Sequence, residues 1–211
     1  MTYNREFKRM VAGELYNASN KELKKLYDAG QHFRYEFSNT KPNEHSKREK
    51  MIREVFGSVG ANVRIMPPLH VDYGCNIYIG DNFYANYDCI FLDVCPIIIG
   101  NNVMFGPRVE IYTATHPLDA EARNSQLESG KKVIIGNNVW VGGSVVIVPG
   151  VTIGDNTVIG AGSVVTKDIP SNVVAAGNPA KVIRKLDESD KIYWRKQIEQ
   201  YYKDKAKEND E

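Results

Sequence analysis

An apolar residue returns at every sixth position through much of the second half of this chain. Neither an amphipathic helix, with apolar residues three and four apart, nor a half-buried strand, with strict alternation, generates this spacing. A period of six instead indicates short strands joined by tight corners, in which each hexapeptide forms one wall of a prism. The longest unbroken run consists of Ile135, Val141, Ile147, Ile153, Ile159 and Val165.

The same period begins earlier and is interrupted twice. Two runs of three, separated by a slip of two residues, precede the long one: Ile79, Ala85 and Phe91, then Ile99, Phe105 and Ile111. A second apolar series falls four positions after several of these residues, at Val103, Val109, Val139, Val145 and Val151. Turn residues follow the lead positions, as in IGDN and IGNN. The pattern predicts a mainly β, parallel solenoid with about 18 residues in each three-walled coil and both series pointing inward.

Helical spacing replaces the period of six at both ends of the chain. In the stretch HSKREKMIREVFG, Met51, Ile52 and Val55 fall on one face before a glycine. We therefore predict two or three helices in residues 1–60, a β-solenoid domain over residues 61–185, and a helix with a charged tail over residues 186–211.

Charge and hydropathy exclude several classes of protein. Lysine and arginine number 27 against 26 aspartates and glutamates, which argues against a general nucleic-acid surface. The N-terminus is charged and no apolar run approaches 18 residues, so neither a secretory signal nor a membrane span is expected. We expect a cytoplasmic protein. Cys75, Cys89 and Cys95 are odd in number and lack CxxC spacing, and we interpret them as reduced thiols in or near the core.

Several motifs together resemble one known family over nearly the whole chain. They are AGELYN, NFYANYDCIFLDVCPI, IYTATHPLD, IGNNVWVGG, PGVTIGDNTVIGAGSVVTKDIP and AAGNPAKVIRKL. This combination resembles the maltose and galactoside O-acetyltransferase branch of the hexapeptide-repeat acyltransferases. The resemblance implies a left-handed parallel β-helix, although parallel crossovers in general are right-handed. It also implies transfer of an acetyl group from acetyl-CoA to a sugar hydroxyl, without a metal.

The second interruption of the repeat, residues 113–132, is polar and irregular and carries His116 near its start. A closed solenoid has no internal space for a substrate, so a concave site needs such an excursion and a neighbouring copy. We therefore expect a homotrimer with active sites between subunits. Histidine, with an ordinary pKa near 6.5, is largely neutral at pH 7 and can accept a proton from a hydroxyl. We predict that His116 is the general base for direct attack on the thioester; a surface histidine is the alternative.

The resemblance implies further residues on the acceptor side. Asn86 matches a family asparagine that touches the acceptor and the reacting centre, and Tyr84, Asp93 and Asp72 match acceptor-side positions. An aspartate at a corner is often structural, which is the alternative for the last two. The galactoside branch carries an acidic residue in its N-terminal helical region where this chain has Asn17 and Ala18, and this departure weakens a prediction of galactoside specificity.

The resemblance also implies a coenzyme A site. Gly143 stands where the galactoside branch has a serine, so only its backbone N–H is left to stabilise an oxyanion; a glycine corner is the structural alternative. Trp140 either walls the cofactor cleft or fills a subunit contact. The remaining predicted cofactor contacts are Ala161, Thr166 and Lys167 beside the pantetheine arm, and Lys181 and Arg184 near the phosphates. A solvated basic turn is the alternative for the last two.

Two other functions known for such a repeat fit this sequence less well. A β-helical carbonic anhydrase needs several histidines that converge on zinc, whereas this chain has only His32, His45, His70 and His116, one of them in the interrupted coils. A purely structural solenoid leaves the histidine loop and the basic C-terminal stretch unexplained. An acetyltransferase for a non-sugar acceptor, such as an antibiotic hydroxyl or serine, remains the competing prediction.

Overall fold

The structure is a computed structural model that describes residues 4–208. A three-walled solenoid of about six turns is preceded by three helices and followed by one. The helices are α1 (Arg5–Ala12), α2 (Lys21–Ser38), α3 (His45–Val55), α4 (Ala120–Asn124) and α5 (Glu188–Glu208). No described helix combines the length and the apolar character that a membrane crossing requires.

Successive strands of the solenoid belong to successive walls. Wall 1 contains β1 (Ser58–Val59), β4 (Ile77–Ile79), β7 (Ile97–Ile99), β12 (Val133–Ile135) and β15 (Thr152–Ile153). Wall 2 contains β2 (Arg64–Ile65), β5 (Tyr84–Ala85), β8 (Met104–Phe105), β13 (Trp140–Val141), β16 (Val158–Ile159) and β18 (Val173–Gly177), and ends in the antiparallel β19 (Ala180–Lys185). Wall 3 contains β3 (Leu69–Val71), β6 (Cys89–Leu92), β9 (Glu110–Tyr112), β14 (Val146–Ile147) and β17 (Val164–Val165). Two short strands outside the walls are β10 (Ala114–Thr115) and β11 (Ser129–Gly130).

The period of six does mark the inward positions. Every residue of both predicted apolar series is buried, with at most 3% of its surface exposed. Parallel pairing aligns equivalent positions of neighbouring coils, as in Ile77 beside Ile97 and Ile97 beside Val133. The prediction of a mainly β parallel solenoid is therefore confirmed.

A column of asparagines explains the IGDN and IGNN motifs. Six asparagines at the corner between wall 1 and wall 2 adopt left-handed backbone conformations, with φ between 54° and 61°: Asn62, Asn82, Asn102, Asn138, Asn156 and Asn172. Asparagine tolerates this region because its short side chain forms local hydrogen bonds. Each Nδ2 donates to the Oδ1 of the next asparagine at 2.9 to 3.0 Å. The motif thus supplies both the turn and a contact between coils.

The predicted coil of 18 residues holds for only part of the solenoid. Asn138 and Asn156 are 18 positions apart, but the first two rungs of the column span 20 positions each and the last spans 16. The early coils are longer between wall 3 and wall 1, where the inward residues Val71 and Ile79, and then Phe91 and Ile99, are eight positions apart. In the first of these coils the extended turn, residues 72–76, is built around the buried carboxylate of Asp93. The sequence shows this lengthening as the slip between its first two runs, but it does not show that a buried acid organises the turn.

The N-terminal helices cover the first coils. Phe33 and Phe37 of α2 pack with Ile52 of α3 into the main core. A second cluster, which contains Met10, Tyr16, Leu23, Tyr73 and Val94, joins α1 and α2 to the extended turn. At the other end, the aromatic residues of α5 stay more than half exposed, Trp194 at 61% among them, so this helix covers little of the solenoid.

Candidate active site

Most of the predicted catalytic and binding residues lie on two different edges of the solenoid. The glycine corner joins wall 2 to wall 3 and comprises residues 66–68, 86–88, 106–108, 142–144 and 160–162. The loop corner joins wall 3 to wall 1 and comprises residues 72–76, 93–96, 113–132, 148–151 and 166–168. His116 belongs to the loop corner, whereas Asn86 and Gly143 belong to the glycine corner. Wall 3 separates the two groups within one chain.

The excursion that carries His116 has an ordered base. Strand β10 pairs with β11 in antiparallel fashion, with Ala114 opposite Gly130 and Thr115 opposite Ser129. Beneath them the buried Thr113 hydroxyl donates to the carbonyl of Leu92 at 2.7 Å and accepts from the N–H of Cys95 at 2.8 Å. Because His116 directly follows β10, its backbone leaves the solenoid from a fixed point.

The side chain of His116 is exposed and faces a cavity of about 180 Å³ inside the excursion. None of the hydrogen bonds within residues 4–208 uses its imidazole, so both ring nitrogens are free for a substrate. The cavity is lined by His116, Arg123, Asn124, Gln126 and Glu128.

A larger cavity of about 410 Å³ separates the N-terminal helices from the loop corner. It contains Asp72 and, again, Glu128, so the two cavities meet at the Glu128 side chain. Sequence reasoning missed Glu128 because the excursion has no period that would single out one position. The full lining comprises Tyr16, Ala18, Ser19, Lys24, Tyr27, Asp72, Tyr73, Val94 and Glu128.

Asp72 is half-buried on the wall of this larger cavity. Burial raises the pKa of its carboxyl to about 6, and the nearby negative charge of Glu128 adds to the shift. The carboxylate form is therefore the major one at neutral pH and can accept hydrogen bonds from hydroxyl groups. This position is compatible with the predicted acceptor-side role of Asp72.

Asp93 lies behind Asp72 rather than in the cavity. Its carboxylate is fully buried and accepts the backbone N–H groups of Asp72 at 3.1 Å, Tyr73 at 2.9 Å and Asn76 at 3.2 Å. Burial raises the pKa of Asp93 to about 7 against the opposing effect of these hydrogen bonds. In this chain Asp93 shapes the turn that presents Asp72, and direct contact with an acceptor stays a prediction.

On the glycine corner, the Nδ2 group of the Asn86 side chain is available to a ligand. Its Oδ1 accepts the N–H of Tyr87 at 2.8 Å, whereas its Nδ2 makes no hydrogen bond within the part of the chain that the structure describes. Tyr84, two residues earlier, is half-buried on wall 2. An acceptor substrate bound at this edge could therefore accept a hydrogen bond from the Nδ2 group of Asn86.

Gly143 is half-buried, and its N–H donates to no other residue between positions 4 and 208. Its carbonyl accepts the N–H of Gly162 at 2.9 Å. The left-handed residue of this turn is Ser144, with φ of 57°, so the turn does not need glycine at position 143 for its backbone conformation. What a side chain would meet there is Pro107, whose carbonyl oxygen lies 3.1 Å from an added Cβ. The free N–H agrees with the predicted oxyanion donor, which remains untested.

The predicted coenzyme A contacts are divided in the same way. Ala161 follows Gly143 in the glycine corner, and Lys181 lies opposite Ala176 in the β18–β19 pair, near the end of that corner. Thr166 and Lys167 instead lie at the loop corner, both exposed. A ligand that contacts all four of these residues must therefore reach both edges, and wall 3 separates the two edges within one chain.

Arg184 pairs with a carboxylate within the chain, whereas Trp140 lies on the surface. The guanidinium of Arg184 forms a two-pronged ion pair with Asp190 of α5, with both N···O distances at 2.7 Å. A phosphate at Arg184 would have to share it with this carboxylate. Trp140 is 53% exposed on the outer face of wall 2, level with Met104, also 53% exposed. Both alternatives for Trp140 stay open.

The three cysteines are not suited to act as nucleophiles. All three cysteines are free, and burial raises the pKa of the thiols to about 12 for Cys75 and about 11 for Cys89 and Cys95. They are thiols, not nucleophilic thiolates, at neutral pH. No group of three potential metal ligands occurs among residues 4–208.

Comparisons with known proteins agree with the motif resemblance. The model of the maltose acetyltransferase hexapeptide capping motif matches residues 9–60, and that of the bacterial transferase hexapeptide (six repeats) matches residues 132–167. The galactoside O-acetyltransferase of Escherichia coli K12 is 47% identical over 186 residues, which are 88% of this chain and 92% of that protein.

Solved structures give the same result. A maltose O-acetyltransferase from Clostridium difficile 630 has 55% identity and a TM-score of 0.85, covering 87% of this chain and 98% of that one. A galactoside acetyltransferase in complex with coenzyme A has 46% identity and a TM-score of 0.85, covering 90% and 94%. The predicted left-handed parallel β-helix is confirmed by these likenesses. With about half of its residues identical to such relatives over most of both chains, the protein belongs to the maltose and galactoside O-acetyltransferase branch of the hexapeptide-repeat acyltransferases.

Proposed function

We propose that this protein is an acetyl-CoA-dependent O-acetyltransferase that acetylates a hydroxyl of a maltose- or glucose-type sugar. The observation that carries the proposal is the junction at Glu128, where the His116 cavity meets the larger cavity that contains Asp72. A sugar in the larger cavity would meet the carboxylates of Asp72 and Glu128, and Glu128 also lines the cavity that contains His116. The galactoside acetyltransferase relative that was solved with coenzyme A supports the choice of acyl donor.

In this mechanism His116 acts as general base. Its imidazole takes the proton of the attacking hydroxyl while the hydroxyl oxygen forms a bond to the thioester carbonyl carbon. The backbone N–H of Gly143 donates to the carbonyl oxygen as negative charge develops there. The carbon–sulfur bond then breaks, and the proton passes from His116 to the departing thiolate. No acyl-enzyme is formed.

The separation of His116 from Gly143 within one chain supports a site shared between subunits. If the loop corner of one chain faces the glycine corner of the next, His116 and Asp72 come from one subunit, and Asn86 and Gly143 from its neighbour. Cyclic closure of three prisms forms three identical sites of this kind. The pantetheine arm would lie along the glycine corner, where glycine, proline and alanine leave backbone groups accessible, with Lys181 near the phosphates.

Mixing two inactive variants tests this shared site. His116→Ala and Asn86→Ala chains each supply one defective half of every site in a pure trimer. In a random equal mixture, about one quarter of the sites combine an intact Asn86 with an intact His116, so activity should recover to roughly a quarter of wild type. The measurement is acetyl transfer after co-expression of the two variants. No recovery, or a monomer that is fully active at micromolar concentration, contradicts the shared site.

The acceptor is tested by a screen with acetyl-CoA that follows release of the thiol. An open cleft with few polar contacts discriminates weakly between related hydroxyl compounds. We expect glucose, maltose and related glucosides all to be acetylated, slowly and at high concentration, preferentially on a primary hydroxyl, which reaches His116 with least crowding. NMR of the product locates the acetyl group. If the protein acetylated serine or an antibiotic efficiently and none of these sugars, the sugar acceptor would be wrong. The competing proposal, a non-sugar acceptor, would then take its place.

A further inference from the structure

The segment between α1 and α2 is joined to the exit arm of the excursion through one residue pair. Tyr16 and Glu128 form an antiparallel bridge, in which the N–H of Tyr16 donates to the carbonyl of Glu128 at 2.9 Å and the N–H of Glu128 donates back at 3.1 Å. The pair extends the β10–β11 ladder by a further strand-like segment. The N-terminal region therefore holds the excursion at the residue where the two cavities meet.

The Tyr16 side chain strengthens the same link. Its ring is 1% exposed and packs with Met10, Leu23 and Tyr73. Its hydroxyl donates to Oε2 of Glu128 at 2.8 Å. Burial raises the pKa of Tyr16 well above its ordinary value, so the hydroxyl remains a donor over the whole working range. A buried ring thus aims one hydroxyl at one carboxylate oxygen.

The other oxygen of Glu128 stays free. Among residues 4–208, no hydrogen bond reaches Oε1, and the side chain is only partly buried between the two cavities. A free glutamate side chain samples several rotamers, and ordering it costs conformational entropy when a ligand binds. The bond from Tyr16 restricts the side chain before a ligand binds and leaves Oε1 unpaired on a residue that lines both cavities.

We propose that Tyr16 is a positioning residue that fixes the Glu128 carboxylate for hydrogen bonding to the acceptor. Tyr16 itself does not touch the reacting atoms. This inference rests on the proposed function, because it assigns Glu128 to the acceptor of the same site. It gives the N-terminal helical region a part in substrate recognition besides covering the first coils.

Tyr16→Phe tests the proposal because it keeps the ring and removes one hydroxyl. Without this hydrogen bond the Glu128 carboxylate is no longer held in place, so kcat/KM for the acceptor should fall about 10-fold while the KM for acetyl-CoA stays unchanged. The thermal midpoint should fall by only several degrees, because the same bond also contributes to folding stability. Tyr35→Phe, an exposed tyrosine on α2, is the matched control and should behave as wild type. An unchanged kcat/KM for the acceptor in Tyr16→Phe would overturn the proposal.

A double-mutant cycle separates positioning from a general structural role. If Tyr16 acts through Glu128, Tyr16→Phe should have no further effect in a Glu128→Ala background. A full 10-fold loss in that background, or an equal loss toward acetyl-CoA, would show that Tyr16 acts elsewhere. The cycle is measured with whichever acceptor the wild type turns over. A wild type that acetylates only non-sugar acceptors therefore refutes the sugar proposal and still decides the role of Tyr16.

Discussion

His116→Ala should leave a folded protein that binds coenzyme A and has lost most of its acetyl transfer. Loss of a general base lowers the rate by roughly 10²- to 10⁴-fold, because the attacking hydroxyl must then give its proton to water. The fold should survive, since the imidazole is exposed and forms no hydrogen bond with the described residues. The loss should appear in kcat, with the KM for acetyl-CoA little changed.

His32→Ala is the matched control for this variant. His32 is an exposed histidine on α2, and it lines neither of the two cavities at Glu128. Its removal should leave both kcat and the thermal midpoint at wild-type values. Turnover of His116→Ala within a factor of two of wild type would remove His116 from the mechanism, whatever its position in the excursion.

Phe105→Ala should be the most damaging substitution inside the solenoid. The ring is 2% exposed and makes edge-to-face contacts with Phe83, at a centroid distance of 5.1 Å, and with Phe91, at 6.0 Å. Replacement of a buried phenylalanine by alanine costs about 3–5 kcal/mol, because transfer energy is lost and a cavity remains. In a chain of this length the thermal midpoint should fall by roughly 10 °C.

Phe105→Leu provides the graded comparison, since it keeps most of the apolar volume and should cost less than half as much. Both variants are compared by calorimetry at one fixed protein concentration, because the proposed subunit assembly would make the midpoint depend on concentration. Equal midpoints for Phe105→Ala and wild type would mean that the three rings do not form a cooperative part of the core.

The core was predictable because it follows a single rule. A side chain at every sixth position points inward, so all twelve lead residues and the second valine series are buried as expected. The asparagine turns could be predicted for the same reason, since the left-handed corner recurs in each coil. A structural pattern that repeats in every coil can be recognised from a single sequence.

The candidate site was only partly predictable because it consists of departures from that rule. His116 was found since it opens the interruption, whereas Glu128 depends on a bridge to Tyr16, 112 positions away. The pairing of Arg184 with Asp190 likewise depends on where α5 begins, and the burial of Asp93 depends on the extended turn. Contacts between non-equivalent segments carry no period, so the sequence alone does not indicate them.

The asparagine column passes the excursion without distortion. Asn102 and Asn138 are 36 positions apart, yet their side chains meet at 3.0 Å, as do those of coils in direct succession. In stacked repeats each coil interacts only with its neighbours, and the cost of closing a loop grows slowly with its length. The outer part of the excursion is therefore separable from the coils: we expect that a loop of different length or composition could replace residues 116–127 while the coils on either side keep their registration, because the contacts that anchor the excursion lie at Thr113, Glu128 and Gly130.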